Sequence, residues 1–249
     1  MTAACQPTIR RADYASLISK QGAIKSAGAL LNNPSDTTVL TLARRDDLSG
    51  TQASSNIFFA DNSCGNNHLP AVGTALPKVI AGVLGGELDI ISSTDSTANL
   101  VVQSLITTDA VRSSLLSQTG YTIGVISLNA GEGSTPTGYT GTDTWKFVKI
   151  DGVSPTVLAD GSVPSSQRTF LNGNYPFAMT SFAVVPTKAP TKGVATLFPS
   201  VLSTMIGGLS DSSLHDLKGI GYLDNAPAAK RSLVQRTGGN NCSPLIKFR

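Results

Sequence analysis

The sequence predicts an α/β fold, and two observations carry this prediction. Short runs rich in β-branched residues, such as TTVLTLA at 37–43, alternate along the chain with segments of helical periodicity. The chain of 249 residues is also long enough to bury a core, and its hydrophobic fraction of 40% is typical of a folded protein. Alternating strands and helices favour an α/β arrangement over an all-β one.

The elements follow from local patterns. Helical periodicity predicts helices over 12–31 with a break at Gly22, over 50–60, over 93–107 and over 192–208. Apolar and β-branched runs predict strands over 37–43, 121–130 and 145–152, and a long extended segment over 174–187. Residues 131–144, rich in glycine and threonine, predict a flexible loop, and residues 228–249 predict a helix followed by an irregular tail. Residues 70–84 are apolar, and their pattern does not distinguish a helix from a strand.

Composition argues against several classes of protein. A net charge of +3 with scattered lysines and arginines does not provide the clustered basic surface that nucleic acids require, so no nucleic-acid partner is predicted. The sequence contains no apolar run of about 18 residues that would span a membrane. The N-terminal segment MTAACQPTIRR has no apolar stretch of the kind found in signal peptides.

An enzyme is not predicted, because no catalytic constellation can be assembled. His68 and His215 both lie far in sequence from any candidate nucleophile, and no G-x-S-x-G, Walker or G-x-G-x-x-G motif follows a strand. We also predict no metal site and no cofactor, since the three cysteines do not occur in the close pairs that metal ligands form. Cys64 and Cys242 lie in Asn/Gly-rich loops and are candidates for a disulfide, with free thiols as the alternative.

The segment ARRDDLSGT, at 43–51, is the strongest functional signal. A strand that leads through a polar loop into a helix can bind an oxyanion, because the amides of the first helical turn are unsatisfied and the helix dipole favours negative charge there. Ser49 and Thr51 provide hydroxyl donors, Gly50 allows close approach to the backbone, and Arg45 offers a guanidinium fork. The alternative interpretation is an ordinary helix cap beside a solvated cluster of charges.

LARRDDLSGTQASSNIFFA resembles the signature segment of the periplasmic phosphate-binding proteins of ABC importers, in which Arg-x-Asp-Gly-Ser-Gly-Thr follows a strand and opens a helix. Further segments are similar to this family in the same order along the chain, including GYTIGVISLNA, NYPFAMTSFAVV and IGYLDNAP. The resemblance implies a type 2 periplasmic-binding-protein fold that captures phosphate or a similar oxyanion for an importer permease, in the periplasm or outside the cell. It covers most of the chain.

Carried over by position, the resemblance implies that Arg45, Ser49, Gly50 and Thr51 contact the oxyanion and that Asp47 orients the guanidinium of Arg45. Leu48 stands where the family has glycine. Arg44 and Asp46 have no counterpart in this scheme, and we interpret them as solvated surface charges.

The chain begins about where the second lobe of the family begins, so the resemblance implies a missing N-terminal part of the first lobe. We therefore expect a central lobe over 8–180, and over 181–249 a crossing strand and C-terminal segment of the first lobe. An alternative hypothesis is a truncated or diverged member that acts as a structural or interaction protein without ligand binding. In that case the chain would self-associate through an uncovered sheet edge.

Overall fold

The computed structural model describes residues 6–19, 23–46, 48–60, 91–92, 100–117, 119–155, 168–180, 232–236 and 240–247. The chain divides into two compact units, Met1–Pro155 and Thr156–Arg249, whereas the sequence placed a boundary after residue 180. The segments predicted over 70–84, 181–187 and 192–208 lie outside the described residues, as do His68 and His215.

The first unit alternates strands and helices. Its strands are β1 (Thr8–Ile9), β2 (Leu40–Arg45), β3 (Ile91–Ser92), β4 (Leu100–Leu105), β5 (Tyr121–Gly124) and β6 (Lys149–Ile150). Its helices are α1 (Arg11–Ile18), α2 (Ala27–Leu30), α3 (Gly50–Ala60) and α4 (Thr108–Ser117). In none of the described ranges is a helix both long and apolar enough to cross a membrane.

A four-stranded sheet with the order β3-β4-β2-β5 forms the centre of this unit. β2 pairs in parallel with β4 on one side and with β5 on the other, while β3 pairs antiparallel with β4. A parallel, centrally placed β2 with helices in contact confirms the predicted α/β class.

Helices cover both faces of β2. Successive side chains of a strand point to opposite sides, so neighbouring residues of β2 contact different helices. On one face Ala43 packs with Leu105 of β4 and Val111 of α4 in a fully buried apolar cluster. On the other face Arg44 lies near Tyr14 of α1, which in turn contacts Ser55 and Phe59 of α3. The helix α3 thus leaves β2 toward one face, whereas α4 leaves β4 toward the other.

The prediction of a helix over 93–107 is wrong for its described part, residues 100–107. Residues 100–105 form β4, which is paired along its whole length with β2, from Leu40 opposite Leu100 to Arg45 opposite Leu105. Adjacent Val101 and Val102 favour a strand, and the polar Gln103 and Ser104 are buried in the sheet at 2% and 1% exposure. A polar residue inside a sheet covered on both faces removes the alternation by which a strand is recognised.

The predicted loop over 131–144 contains no described helix or strand, but side-chain contacts fix its path. The indole nitrogen of Trp145 donates to the carbonyl oxygen of Ser134 at 2.7 Å, and the amide of Phe147 donates to Glu132 at 2.8 Å. Arg112 of α4 donates to the carbonyl oxygen of Ala130 at 2.9 Å, which ties the start of the loop to the helix. Of the strand predicted over 145–152, only β6 is in regular strand conformation.

The second unit contains the helix α5 (Arg168–Leu171) and the strands β7 (Val234–Arg236) and β8 (Leu245–Lys247). β7 and β8 pair antiparallel, so the prediction of a helix followed by an irregular tail over 228–249 is wrong for these residues. Arg236 holds this ribbon together, because its Nε donates to the carbonyl oxygen of Ala178 at 2.9 Å and its Nη1 to that of Ser243 at 2.6 Å. The extended segment predicted over 174–187 forms no strand within its described part, 174–180.

Candidate functional site

The junction between β2 and α3 carries the residues that the sequence singled out. Arg45 is the last residue of β2, Ser49 immediately precedes α3, and Gly50 and Thr51 are its first two residues. Helix α3 spans Gly50–Ala60, as the sequence predicted. Asp47, predicted to orient Arg45, lies outside the described residues.

Ser49 is the cap of α3. Its hydroxyl oxygen accepts from the amide of Gln52 at 3.5 Å, and its carbonyl oxygen accepts from the amide of Ala53 at 2.9 Å. Ser49, and not Thr51, is therefore the residue that caps this helix. Its own amide donates to the carbonyl oxygen of Asp46 at 3.1 Å, which closes the loop tightly.

The first turn of α3 is open to solvent at Gly50. A Cβ built on Gly50 would meet no heavy atom within 4 Å, so a ligand atom could approach this part of the backbone. The amides of Gly50 and Thr51 have no acceptor within the described ranges, as is usual for the first residues of a helix. These two donors are thus oriented outward at the positive end of the helix dipole.

The guanidinium of Arg45 is held by the end of β4 and the turn that leads into α4. Its Nε donates to the carbonyl oxygen of Leu105 at 3.1 Å, its Nη2 to that of Ile106 at 2.6 Å, and its Nη1 to the hydroxyl of Thr108 at 3.2 Å. All three acceptors are neutral, so they fix the group without cancelling its charge. One N–H on each terminal nitrogen has no acceptor within the described part of the chain.

The backbone of Arg45 is fixed from the opposite side. Its amide donates at 3.0 Å to the side-chain oxygen of Gln52, whose amide nitrogen donates to Asn56 at 2.9 Å. Gln52 is 3% exposed, so this bond lies in the interior and locks the end of β2 to the first turn of α3. The sequence interpretation missed Gln52, because a glutamine in an amphipathic helix carries no signal of a long-range contact.

Thr107 and Thr108 were also missed. Thr107 caps α4, since its hydroxyl accepts from the amide of Ala110 at 3.0 Å, and Thr108 is the first residue of that helix. The Thr-Thr-Asp sequence before a helical pattern is a typical start signal. This start signal was not recognised, because the helix predicted over 93–107 ends at the position where α4 in fact begins.

Arg44 and Asp46 are buried, so the prediction that they are solvated is wrong. Arg44 is 2% exposed and Asp46 is 5% exposed. Both lie at the end of the central strand, where helices cover the sheet, and successive positions therefore have no solvent face. Burial raises the pKa of the neighbouring Tyr14, while the positive charge of Arg44 acts in the opposite direction.

Two further predictions concern residues at the boundary of what the structure describes. Cys242 is disulfide-bonded, but the predicted partner, Cys64, lies outside the described residues. Among the described residues, no group of three or more His, Cys, Asp or Glu side chains is arranged to hold a metal ion.

The carboxyl ends of β2 and β4 form the point at which the connections diverge to opposite faces of the sheet. In open α/β sheets, ligands bind in the crevice outside such a point, where two helices begin on either side. Arg45, the cap of α3 and the start of α4 all belong to this edge. Family models, curated proteins and solved structures were all compared with this chain, and none matches it.

Proposed function

We propose that this protein is a solute-binding protein that captures a small oxyanion, phosphate, at the carboxyl ends of β2 and β4. The observation that carries the proposal is the environment of Arg45, whose three described acceptors are neutral and which ends β2 shortly before the exposed Gly50 that opens α3. A fixed guanidinium and outward helix amides are the groups that bind tetrahedral oxyanions in proteins.

The resemblance of ARRDDLSGT to phosphate-binding segments supports the same ligand and extends the proposal to a type 2 periplasmic-binding-protein fold. In that setting the protein delivers phosphate to an ABC-type permease and performs no chemistry. A disulfide at Cys242 fits the oxidising periplasmic or extracellular compartment in which such proteins work.

The test is isothermal titration of the whole chain with phosphate, with sulfate as a parallel titrant. Arg45→Ala should weaken phosphate binding by at least about tenfold, the effect expected for losing hydrogen bonds to a charged group. Arg10→Ala is the matched control, because it also removes one positive charge. Arg10 is exposed and pairs with Asp13 at 2.9 Å. The next residue, Arg11, contacts Phe58 near the C-terminal end of α3, so Arg10 lies away from Gly50 at the other end of that helix.

A second candidate function is a structural or interaction protein with no ligand. The observation in its favour is that three of the five N–H groups of Arg45 already have acceptors within the protein, as in a purely structural arginine. This alternative predicts no phosphate binding by the wild-type chain and self-association in size-exclusion chromatography that phosphate does not alter. Saturable phosphate binding that Arg45→Ala weakens and Arg10→Ala does not would exclude it.

A further inference from the structure

We propose that Thr108 is a positioning residue for the oxyanion site, so that the turn between β4 and α4 sets the affinity of Arg45 for its ligand. This inference rests on the function proposed above. To the carboxylate partner that the resemblance implies for Arg45, it adds neutral acceptors from the end of β4 and the start of α4 as groups that orient the guanidinium.

Thr108 supplies the one side-chain acceptor among the three described partners of the Arg45 guanidinium. The other two, at 3.1 and 2.6 Å, are the backbone carbonyls of Leu105 and Ile106. The carbonyl of Leu105 also accepts the amide of Asp46 at 3.0 Å, so it is fixed by the pairing of β2 with β4. The hydroxyl of Thr108, at 3.2 Å from Nη1, is therefore the partner that a substitution can remove without altering the backbone.

Helix α4 does not need the hydroxyl of Thr108. Thr107 caps the helix, with its hydroxyl 3.0 Å from the amide of Ala110 and its carbonyl 3.2 Å from the amide of Val111. Thr108 itself is half-buried at the start of the helix, where valine has the same shape. Loss of this hydroxyl should thus affect the orientation of Arg45 far more than the stability of α4.

The physical effect is preorganisation. A free arginine side chain has many rotamers, and a ligand that has to select one of them binds more weakly. With Nε and one N–H of each terminal nitrogen already bound, the two remaining N–H groups keep a constant direction. Removing the Thr108 hydroxyl frees Nη1, so the guanidinium can turn away from the direction in which it meets the oxyanion.

A double-mutant cycle tests the inference. Thr108→Val should weaken phosphate binding roughly three- to tenfold, whereas Thr108→Ser, which keeps the hydroxyl, should stay within about twofold of wild type. In the Arg45→Ala background, Thr108→Val should have no further effect, because Thr108 acts only through Arg45. Thr137→Val, at an exposed threonine, is the control for the substitution itself.

Thermal unfolding of each variant, followed by circular dichroism, separates loss of binding from loss of fold, and the three threonine variants should melt close to wild type. The positioning role would be overturned if Thr108→Val weakened phosphate binding equally in the wild-type and Arg45→Ala backgrounds. It would also be overturned if Thr108→Val left phosphate affinity unchanged while Arg45→Ala reduced it. A wild-type chain that binds no phosphate, or an Arg45→Ala variant that binds normally, would overturn the proposed function together with this role. The two failures are therefore distinguishable.

Discussion

Two strand-to-helix junctions, β2–α3 and β4–α4, lie at the carboxyl ends of neighbouring parallel strands. Each contains a hydroxyl cap, Ser49 in the first and Thr107 in the second. Helix α3 opens with Gly50 and exposes amide donors, whereas the end of β4 turns its carbonyls toward Arg45. One junction thus has exposed backbone donors, and the other presents acceptors to the protein's own cation.

The two junctions are also anchored differently. Apolar packing of Val111 against Ala43 and Leu105 fixes α4 on the sheet. A buried hydrogen bond from the amide of Arg45 to Gln52 fixes α3 to the end of β2. The comparison shows that the same local motif can be held by hydrophobic burial or by a polar clamp, and each anchor can be broken separately.

The largest effect on stability is expected from the apolar anchor. Val111→Ala removes two methyl groups from a fully buried position and leaves a cavity, so the free energy of unfolding should fall by about 2 kcal/mol. Urea unfolding measures this loss. The same substitution at Val39, which is 40% exposed, should change stability by less than about 0.5 kcal/mol. Similar losses at both positions would contradict the assigned packing.

The polar clamp should contribute nearly as much. Gln52→Leu leaves the buried amide of Arg45 without its acceptor, at an expected cost of about 1–3 kcal/mol in unfolding free energy. Asn56→Ala removes the acceptor of the Gln52 side-chain amide nitrogen but keeps the bond to Arg45, so it should cost less. If denaturant unfolding gave the same loss for both variants, the bond to Arg45 would not be the anchor.

The two caps should separate stability from binding. Ser49→Ala and Thr107→Ala should each lower the unfolding free energy by about 1 kcal/mol, with the larger loss at Thr107 because its contact is shorter, 3.0 Å against 3.5 Å. Only Ser49→Ala should weaken phosphate binding, by at least about tenfold, since Ser49 adjoins the proposed ligand. Equal effects of both variants in titration calorimetry would remove the functional distinction between the junctions.

The smallest stability effect is expected at Gly50. A methyl group there meets no atom within 4 Å, so Gly50→Ala should leave the unfolding free energy unchanged or raise it by up to about 1 kcal/mol. Phosphate affinity should nevertheless fall, because the methyl group occupies the space in which the oxyanion approaches the backbone. Unchanged affinity in this variant would place the ligand away from the first turn of α3.

Local patterns predicted the elements whose signals are complete within a short segment. The run of β-branched residues before Arg45 predicted β2, and the Ser-Gly-Thr start with helical periodicity predicted α3 within its observed bounds. The same method assigned β4 to a helix, because Gln103 and Ser104 are polar although the sheet buries them. Hydrophobic patterns predict burial only when polar residues remain at the surface.

The candidate site was likewise only partly predictable. Arg45, Ser49, Gly50 and Thr51 were identified from a continuous motif, and their positions at one junction follow from their order in the chain. Gln52 and Thr108 were not identified, and Arg44 and Asp46 were placed in solvent although the structure buries them at 2% and 5% exposure. Burial depends on which helices pack against the strand, and no local pattern contains that information.

The sequence by itself determined the α/β class, the strand that ends at Arg45 and the capped helix that follows it, because backbone preferences and caps act over a few neighbouring residues. Tertiary structure alone decided the acceptors of Arg45, which lie 60 to 63 positions away in the chain. It also decided the burial of Arg44. The acceptors of Arg45 and the burial of Arg44 both follow from the pairing of β2 with β4 and from the helices on either face. Strand pairing joins segments that are distant in sequence, and its energy comes from contacts that neither segment makes alone.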